Sequence, residues 1–414
     1  MPAILPDMRS LESHNKYPDC LWMQLEAIPV SSGATETQHL DLYLSLNFNE
    51  HWFPMLGGRV KFGLQGGTLK LNLENSEMPL AARQLVGDFQ LSPTEKTPEI
   101  QSSAKASSAE LLLTENQRGV RERSQEKIAK NDCTFCHVST IGDATKPAWI
   151  FAIEGGKPVL KGLLKTAKLG ELAAKPFRIE AVFEVAKEDI YLTDAEGLWP
   201  HDITPNQHSI LARILTVYLQ TNKLQPALSR AILCYDSPRV ERREVEIVPQ
   251  AESELQEIVD RIIGAKTDNF AELAKIANLN LAEDFGGANL RGTTLSAVDF
   301  SDANLDRANF RGADLSDADF SDANLQNAKF GGADLSGAFL GNADLKGADL
   351  HRASLALANL SGANLRGANL VEVNLINANL SGANVESAQF GNNSGLSEEM
   401  QVNLQQRGAI FEEV

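Results

Sequence analysis

Cysteine is scarce in this chain of 414 residues. Cys20, Cys133, Cys136 and Cys234 are the only four, too few for a disulfide framework at this length. Aromatic residues make up 6% of the sequence, and no apolar run is long enough to cross a bilayer. The opening MPAILPDMRSLESHNKYPDC lacks both the basic start and the apolar core of a secretory leader. Together these shortages predict a soluble, reduced, cytoplasmic protein with no membrane partner. Basic charge is also in deficit. The net charge is −17, of which residues 1–250 carry −4 and the last 164 residues the rest. That balance disfavours direct binding of nucleic acid. Neither GxxxxGK[ST] nor GxGxxG occurs, so no glycine loop is spaced to cradle phosphate.

What the chain does contain is a repeat. From Phe285 to Phe390, every fifth residue is a large apolar one: Leu in 15 of 22 cases, Phe in six (Phe285, Phe300, Phe310, Phe320, Phe330, Phe390) and Val at Val385. Two residues earlier stands Ala in 18 of the 22, with Glu283, Thr293, Val298 and Val373 the exceptions, and the residue between is mostly Asp or Asn. The unit is A(D/N)Lxx. A period of five fits neither a helix nor a strand. It requires a turn in every repeat, with one small and one large side chain directed inward, so that successive coils stack like parallel strands.

These residues resemble the pentapeptide repeat family. The resemblance implies a right-handed quadrilateral β-helix with four repeats per coil. On that footing 22 repeats make about 5.5 coils, and stacked layers of ~4.8 Å give a rod about 26 Å long. The stretch EDFGGANL at its entry and GNNSGLSEEMQVNLQQRGAIFEE at its exit resemble multidomain cyanobacterial members. That likeness brings no catalytic residues.

The fold class expected overall is mainly β, with a β-rich N-terminal region containing one or more helices. Residues 1–90 form a β-rich segment: Leu40, Leu42, Leu44, Leu46 and Phe48 alternate, and RVKFGLQGGTLKLNL reads as a hairpin turning at Gly66 and Gly67. Residues 91–118, rich in Ser, Ala, Thr, Pro and Glu, read as a flexible linker. Residues 119–248 form a β-containing segment with a helix near 205–221, opened by Thr204 as N-cap, Pro205 and a capping-box Gln207. A helical cap over 252–280 follows, with Ser253 and Gln256 as a capping box and Asp268 capping its second helix. The array occupies 285–390. A C-terminal helical cap covers 396–414, begun by Ser397 and stopped by Gly408; a homodimer through this helix is one expectation.

Candidate sites are few. Cys133-Thr134-Phe135-Cys136-His137 has the CxxCH form of haem attachment, but the same residues read as a strand. Zinc would need two more ligands, and the spacing of His201 and His208 is unusual for that metal. Gly155-Gly156 reads as a turn. His208 near a helix start reads as structural. The acidic residues of the array lack the GGxGxD period of calcium-binding β-rolls and read as a solvated face. No catalytic, cofactor-binding or metal site is predicted, and no cofactor is implied.

Exceptions inside the array carry more information. Phe339 stands where Asp or Asn normally points outward, as does Lys329. Ala356 and Ile376 are 20 residues apart, one coil, with Leu357 beside them. Scattered apolar residues are ordinary on a protein surface, but on a rod they can also mark a contact surface, which makes Phe339, Leu357 and Ile376 the candidate protein contact. The function expected is a non-enzymatic scaffold or protein-binding module with a protein partner. One alternative is imitation of DNA toward a DNA-binding enzyme such as gyrase, as in the quinolone-resistance branch of this family. B-DNA would carry ~15 negative charges over 26 Å, against a net −5 in the array, which also bears Arg291, Arg307, Arg311 and Arg366. A second alternative is an enzyme within residues 1–250, for which Trp199-Pro200-His201-Asp202 is the nearest approach to a motif.

Overall fold

The computed structural model describes residues 9–30, 39–93, 134–154, 157–172, 178–234 and 250–411. Most of the linker expected at 91–118, Cys133 and the Gly155-Gly156 pair lie outside the described residues. Among the described residues six strands precede residue 75: β1 (Arg9–Asn15), β2 (Leu21–Val30), β3 (His39–Phe48), β4 (His51–Met55), β5 (Gly58–Leu64) and β6 (Gly66–Glu74). Seven more follow before the array: β7 (Gly87–Gln90), β8 (Phe135–Ile141), β9 (Ala148–Glu154), β10 (Gly162–Leu172), β11 (Arg178–Glu184), β12 (Ile190–Glu196) and β13 (Ser229–Cys234). The α-helices among the described residues are α1 (Pro205–Leu219), α2 (Gln250–Ile263), α3 (Phe270–Ile276) and α4 (Glu398–Gln406). Short strands β14 (Asn369–Val371), β15 (Gln389–Gly391) and β16 (Ile410–Phe411) belong to the last coils.

The chain forms two compact units. One gathers the described residues within Met1–His51, Phe62–Val185 and Leu224–Arg243; the other gathers Trp52–Lys61, Ala186–Lys223 and Glu244–Val414. In the first, a seven-stranded sheet of order β1-β13-β11-β6-β9-β8-β7 draws strands from both residues 1–90 and residues 119–248. A smaller sheet, β10-β3-β2, completes the unit. The alternating leucines of β3 are buried as the period of two requires, and Phe48 beside them meets Phe151 and Phe183 at 6.3 and 6.0 Å. This triad of rings joins the two sheets into one core.

The hairpin expected at Gly66 and Gly67 does not form. β5 belongs to a sheet of order β12-β5-β4, whereas β6 pairs with β9 and β11. Both glycines lie inside β6, opposite Ala152 and Phe151. A Cβ on Gly67 would stand 2.3 Å from the Phe183 ring, so this glycine answers to a close packing contact and not to a turn.

In the second unit the repeat builds a ladder. Asn289 bridges Asn309 in parallel, Asn309 bridges Lys329, and the offset of 20 residues holds along the array. Four five-residue repeats therefore bring the chain back into register. The rungs are single-residue bridges, not continuous strands, except for the parallel stack β14-β15-β16; the array has no closed sheet. Between rungs the chain turns: Ala303 N–H donates to Phe300 O at 3.1 Å, and Ala313 N–H to Phe310 O at 2.9 Å. Two residues after each large apolar centre φ is positive, as at Asp302 (55°), Gly312 (66°) and Asn327 (56°). That geometry explains the frequency of Gly, Asn and Asp at this position. The centres are buried throughout, Leu345 and Phe320 at 0% exposure.

The Asp and Asn rungs are not merely solvated. Asp314 Oδ1 accepts from Ser316 N at 3.1 Å, and Asn324 Nδ2 donates to Asn304 Oδ1 at 3.2 Å one coil below. Hydrogen bonds from the Ser301 side chain and backbone hold the Asp299 carboxyl below its usual range.

The helices preceding the array begin elsewhere than the sequence suggests. α2 starts at Gln250, which places Ser253 inside the helix instead of at its N-cap. α3 is capped by Asn269, whose side chain accepts from Glu272 N at 3.0 Å. Asp268 instead accepts a hydrogen bond from the Thr204 hydroxyl. α1 has the Thr204, Pro205 and Gln207 start in full. α4 is capped by Ser397, and beyond it Phe411 stacks on Phe390 at 5.2 Å.

Candidate protein-contact site

Phe339, Leu357 and Ile376 are 50%, 67% and 47% exposed. The twenty-residue period brings them to one corner of the coil. Leu357 N–H donates to Ile376 O at 2.9 Å, so these two residues lie on adjacent coils. Phe339 bridges Asn359, two residues beyond Leu357. Ala356 sits on the coil below Ile376 at the same place in the repeat.

Leu357 has φ of 63°. Its equivalents one coil away are Gly337 and Asn377, residue types that tolerate the left-handed region. Leucine does so at a cost of about 1–2 kcal/mol. The sequence could have shown this: Leu357 occupies the position that most often holds Gly, Asn or Asp, and although Ala297, Arg307, Arg352, Glu372 and Ser387 also stand there, Leu357 is its one large apolar residue.

The neighbouring face differs in charge. Arg291 and Arg311 are one coil apart, and Arg311 reaches Asp349 at 3.0 Å. Lys329, on the rung between Asn309 and Asp349, has its pKa lowered by burial and by the nearby Arg311.

The other predicted positions separate. In β8, Cys136 points into the core and burial pushes its thiol up to about 12. His137 faces the other way, with Nδ1 2.5 Å from Asp88 Oδ1. A buried thiol kept in its neutral form is a poor nucleophile. Among the described residues no cluster of His, Cys, Asp or Glu could hold a metal ion. His201 and Asp202 are exposed. His208, exposed at the surface, packs its ring edge-on to Trp199 at 5.6 Å, and partial desolvation lowers its pKa. Among the described residues no helix is long and apolar enough to cross a membrane.

Sequence reasoning missed two side chains. Asn206, 2% exposed, donates through Nδ2 to Asp268 O (2.8 Å) and Thr294 O (3.0 Å) and accepts from Thr294 N (2.9 Å). Arg213 is equally buried on α1. A polar residue among the apolar positions of an amphipathic helix was the available signal for both.

The profile of a family described as pentapeptide repeats (8 copies) matches residues 284–322, 323–362 and 358–392. Among solved structures, Rfr23, a pentapeptide repeat protein from the cyanobacterium Cyanothece 51142, is 40% identical over 23% of this chain and 63% of its own, with a TM-score of 0.22. This chain thus spans less than two thirds of Rfr23. HetL from the cyanobacterium Nostoc sp. strain PCC 7120, a pentapeptide repeat protein involved in heterocyst differentiation regulation, is 28% identical over 26% of this chain and 68% of its own, TM-score 0.20. QnrB1, a plasmid-mediated fluoroquinolone resistance protein, is 22% identical over 30% of this chain and 79% of its own, TM-score 0.18. No curated protein matches. With a five-residue repeat running through the matched segment, the chain belongs to the pentapeptide repeat family.

Proposed function

We propose that this protein is a non-enzymatic protein-binding or scaffold module whose contact surface is the corner formed by Phe339, Leu357 and Ile376. The array is read as a right-handed quadrilateral β-helix that holds this corner rigid, supported by four repeats per 20-residue period and by the family's fold. The observation that carries the proposal is Leu357. It is 67% exposed and held at φ of 63°, a conformation that Gly337 and Asn377 adopt at lower cost one coil to either side. A leucine there lowers stability and adds nothing to the core. Its side chain is accounted for by something outside the array that covers it. The partner surface it fits is apolar, and β-helix stacking fixes the spacing of the three side chains.

Imitation of DNA fits less well. The array's net charge of −5 is about a third of that on B-DNA of equal length. Several of its carboxylates, such as Asp314 and Asp299, are engaged in turn hydrogen bonds.

The test is recovery of bound protein by the full chain and by Leu357→Asn and Ile376→Lys. A partner retained by the unaltered chain and lost by both variants, with thermal unfolding intact, is the expected result. Equal retention by all three would sink the assignment.

A further inference from the structure

Along one face of the array, five successive coils contribute residues 298–302, 318–322, 338–342, 358–362 and 378–382. They read VDFSD, ADFSD, AFLGN, ANLSG and ANLSG. Parallel bridges stack the second residue of each into one column: Asp299, Asp319, Phe339, Asn359 and Asn379. The turn residues stack beside it, with Asp322 N–H donating to Gly341 O and Asn342 N–H to Ser361 O, both at 2.9 Å. None of the five column residues is buried, and Phe339 at the centre is 50% exposed. Serines and Gly341 border the column, so the face is flat apart from the Phe339 ring.

Charge on this face is ordered about Phe339. The two coils below carry four carboxylates, Asp299, Asp302, Asp319 and Asp322. The two coils above place Asn379, Gly382, Asn359 and Gly362 at the same positions. The face bears no Lys or Arg. The cations of the array stand on its other faces, where Arg311 meets Asp349 at 3.0 Å and Arg352 meets Glu372 at 2.6 Å. A second copy laid on this face in parallel would set every carboxylate against a carboxylate, which repels. A copy turned end for end about the level of Phe339 sets Asp319 against Asn359, Asp299 against Asn379, and the turn carboxylates against glycines. Both copies have the same coil spacing, so the match holds over all five coils.

Hydrogen-bonding capacity fits the same arrangement. An Asn amide on the ladder donates to the rung one coil below, as Asn379 does to Asn359 Oδ1 at 3.1 Å. Below Asn359 stands Phe339, which has no acceptor. The Asn359 oxygen is engaged, but its Nδ2 makes no hydrogen bond among the described residues. Asp319 accepts from Ser321 N–H at Oδ1, 2.9 Å away, which leaves Oδ2 for a donor outside the array. An Asn359 amide from the other copy is that donor, in a charge-assisted bond.

We propose that this face is the contact between two copies of the chain, antiparallel about a twofold axis at the level of Phe339. The proposal shares Phe339 with the corner described above and rests on the outward reading of that residue. Leu357 and Ile376 lie on the adjoining corner, outside the paired face, and remain for the other partner. Five coils of one face, about 24 Å long, are a small contact, so the dimer is weak, with a Kd on the order of 100 µM.

Sedimentation equilibrium of the full chain at rising concentration is expected to show monomer and dimer in exchange. Phe339→Asn and Asn359→Asp each install a residue type that the array already uses on its rungs, so the coil is kept. Phe339→Asn is expected to weaken the dimer at least about tenfold. Asn359→Asp sets a carboxylate against Asp319 twice over, through the twofold axis, and is expected to weaken it by about tenfold. Adding Asp319→Asn to Asn359→Asp is expected to restore it. Within one chain, positions 319 and 359 are two coils apart with Phe339 between them, so restoration reads the contact between copies. A monomer up to about 1 mM, tenfold above the expected Kd, overturns the proposal. So does a dimer indifferent to Phe339→Asn, which would place the contact elsewhere, or a double variant as weak as Asn359→Asp alone. A monomer that still retains a partner through Leu357 and Ile376 sinks this proposal and leaves the corner standing.

Discussion

Phe310 and Phe330, twenty residues apart, stack at 5.0 Å with their planes 6° from parallel. Phe300 and Phe320 do the same at 5.5 Å and 9°, and Phe320 meets Phe310 and Phe330 edge-on. The phenylalanines cluster in the first coils, where Phe270 of α3 closes onto Phe285 and Phe300. Phe320→Ala, at a site with no exposure, is expected to cost about 3–5 kcal/mol. Chemical denaturation gives the value, and a loss below about 1 kcal/mol would show that the rings are not a shared core.

Leu345 lies at the centre of its coil with 0% exposure. Leu345→Asp buries a carboxylate among the apolar centres of the ladder, a larger penalty than a cavity. Local collapse of the array is expected, seen as a lower unfolding midpoint and faster amide exchange around residue 345. Unchanged unfolding would refute the inward assignment.

Leu357→Asn should have the opposite sign. Asparagine accepts the left-handed backbone more readily, so stability is expected to rise by about 0.5–1 kcal/mol while the apolar corner is lost. A fall in stability would mean that the leucine packs within its own array.

Asn206→Ala removes three hydrogen bonds at once, two to carbonyls and one from Thr294 N. Leaving these buried groups unmatched is expected to cost about 2–4 kcal/mol. Asn206→Asp restores only the acceptor and should recover part of the loss. Equilibrium unfolding of both variants against the unaltered chain checks the order.

His208 is exposed at the surface, but partial desolvation of its ring, which packs on Trp199, holds its pKa below the ordinary value of 6.5. The folded state thus favours the neutral ring, and the unfolded chain takes up the proton first. The contribution is complete above pH 6.5 and is lost as pH falls through the folded pKa. The unfolding midpoint is expected to drop between pH 7.5 and 5.5, and to drop less in His208→Gln. His51, whose pKa is also lowered by burial, supplies the remainder. An identical drop in both proteins would place the effect elsewhere.

The array was legible because its pattern is local. A period of five with Ala and Leu at fixed places specifies the turn and the inward face, so Leu345 and Phe320 could be placed from sequence. The start of α1 was equally plain, since Thr204, Pro205 and Gln207 act within one turn. Asp268 and Ser253 were misplaced because capping residues compete over a few positions, and tertiary partners decide among them: Thr204 takes Asp268 and leaves Asn269 as the cap.

Gly66 and Gly67 illustrate the larger limit. Paired glycines between two alternating runs suit a hairpin, but what Gly67 serves is the Phe183 ring on a strand more than a hundred residues away. The corner of Phe339, Leu357 and Ile376 was visible as a set of exceptions, because a fixed period converts sequence distance into spatial distance. The sequence alone thus determined the coil, its register and its outward exceptions, through interactions confined to one repeat and its neighbour twenty residues away. Only the tertiary structure decided how residues 1–90 and 119–248 interleave in one sheet, where Asn206 anchors, and that Arg213 is buried with two of its nitrogens unpartnered. Those outcomes depend on which distant surfaces bury one another, and no local spacing encodes that.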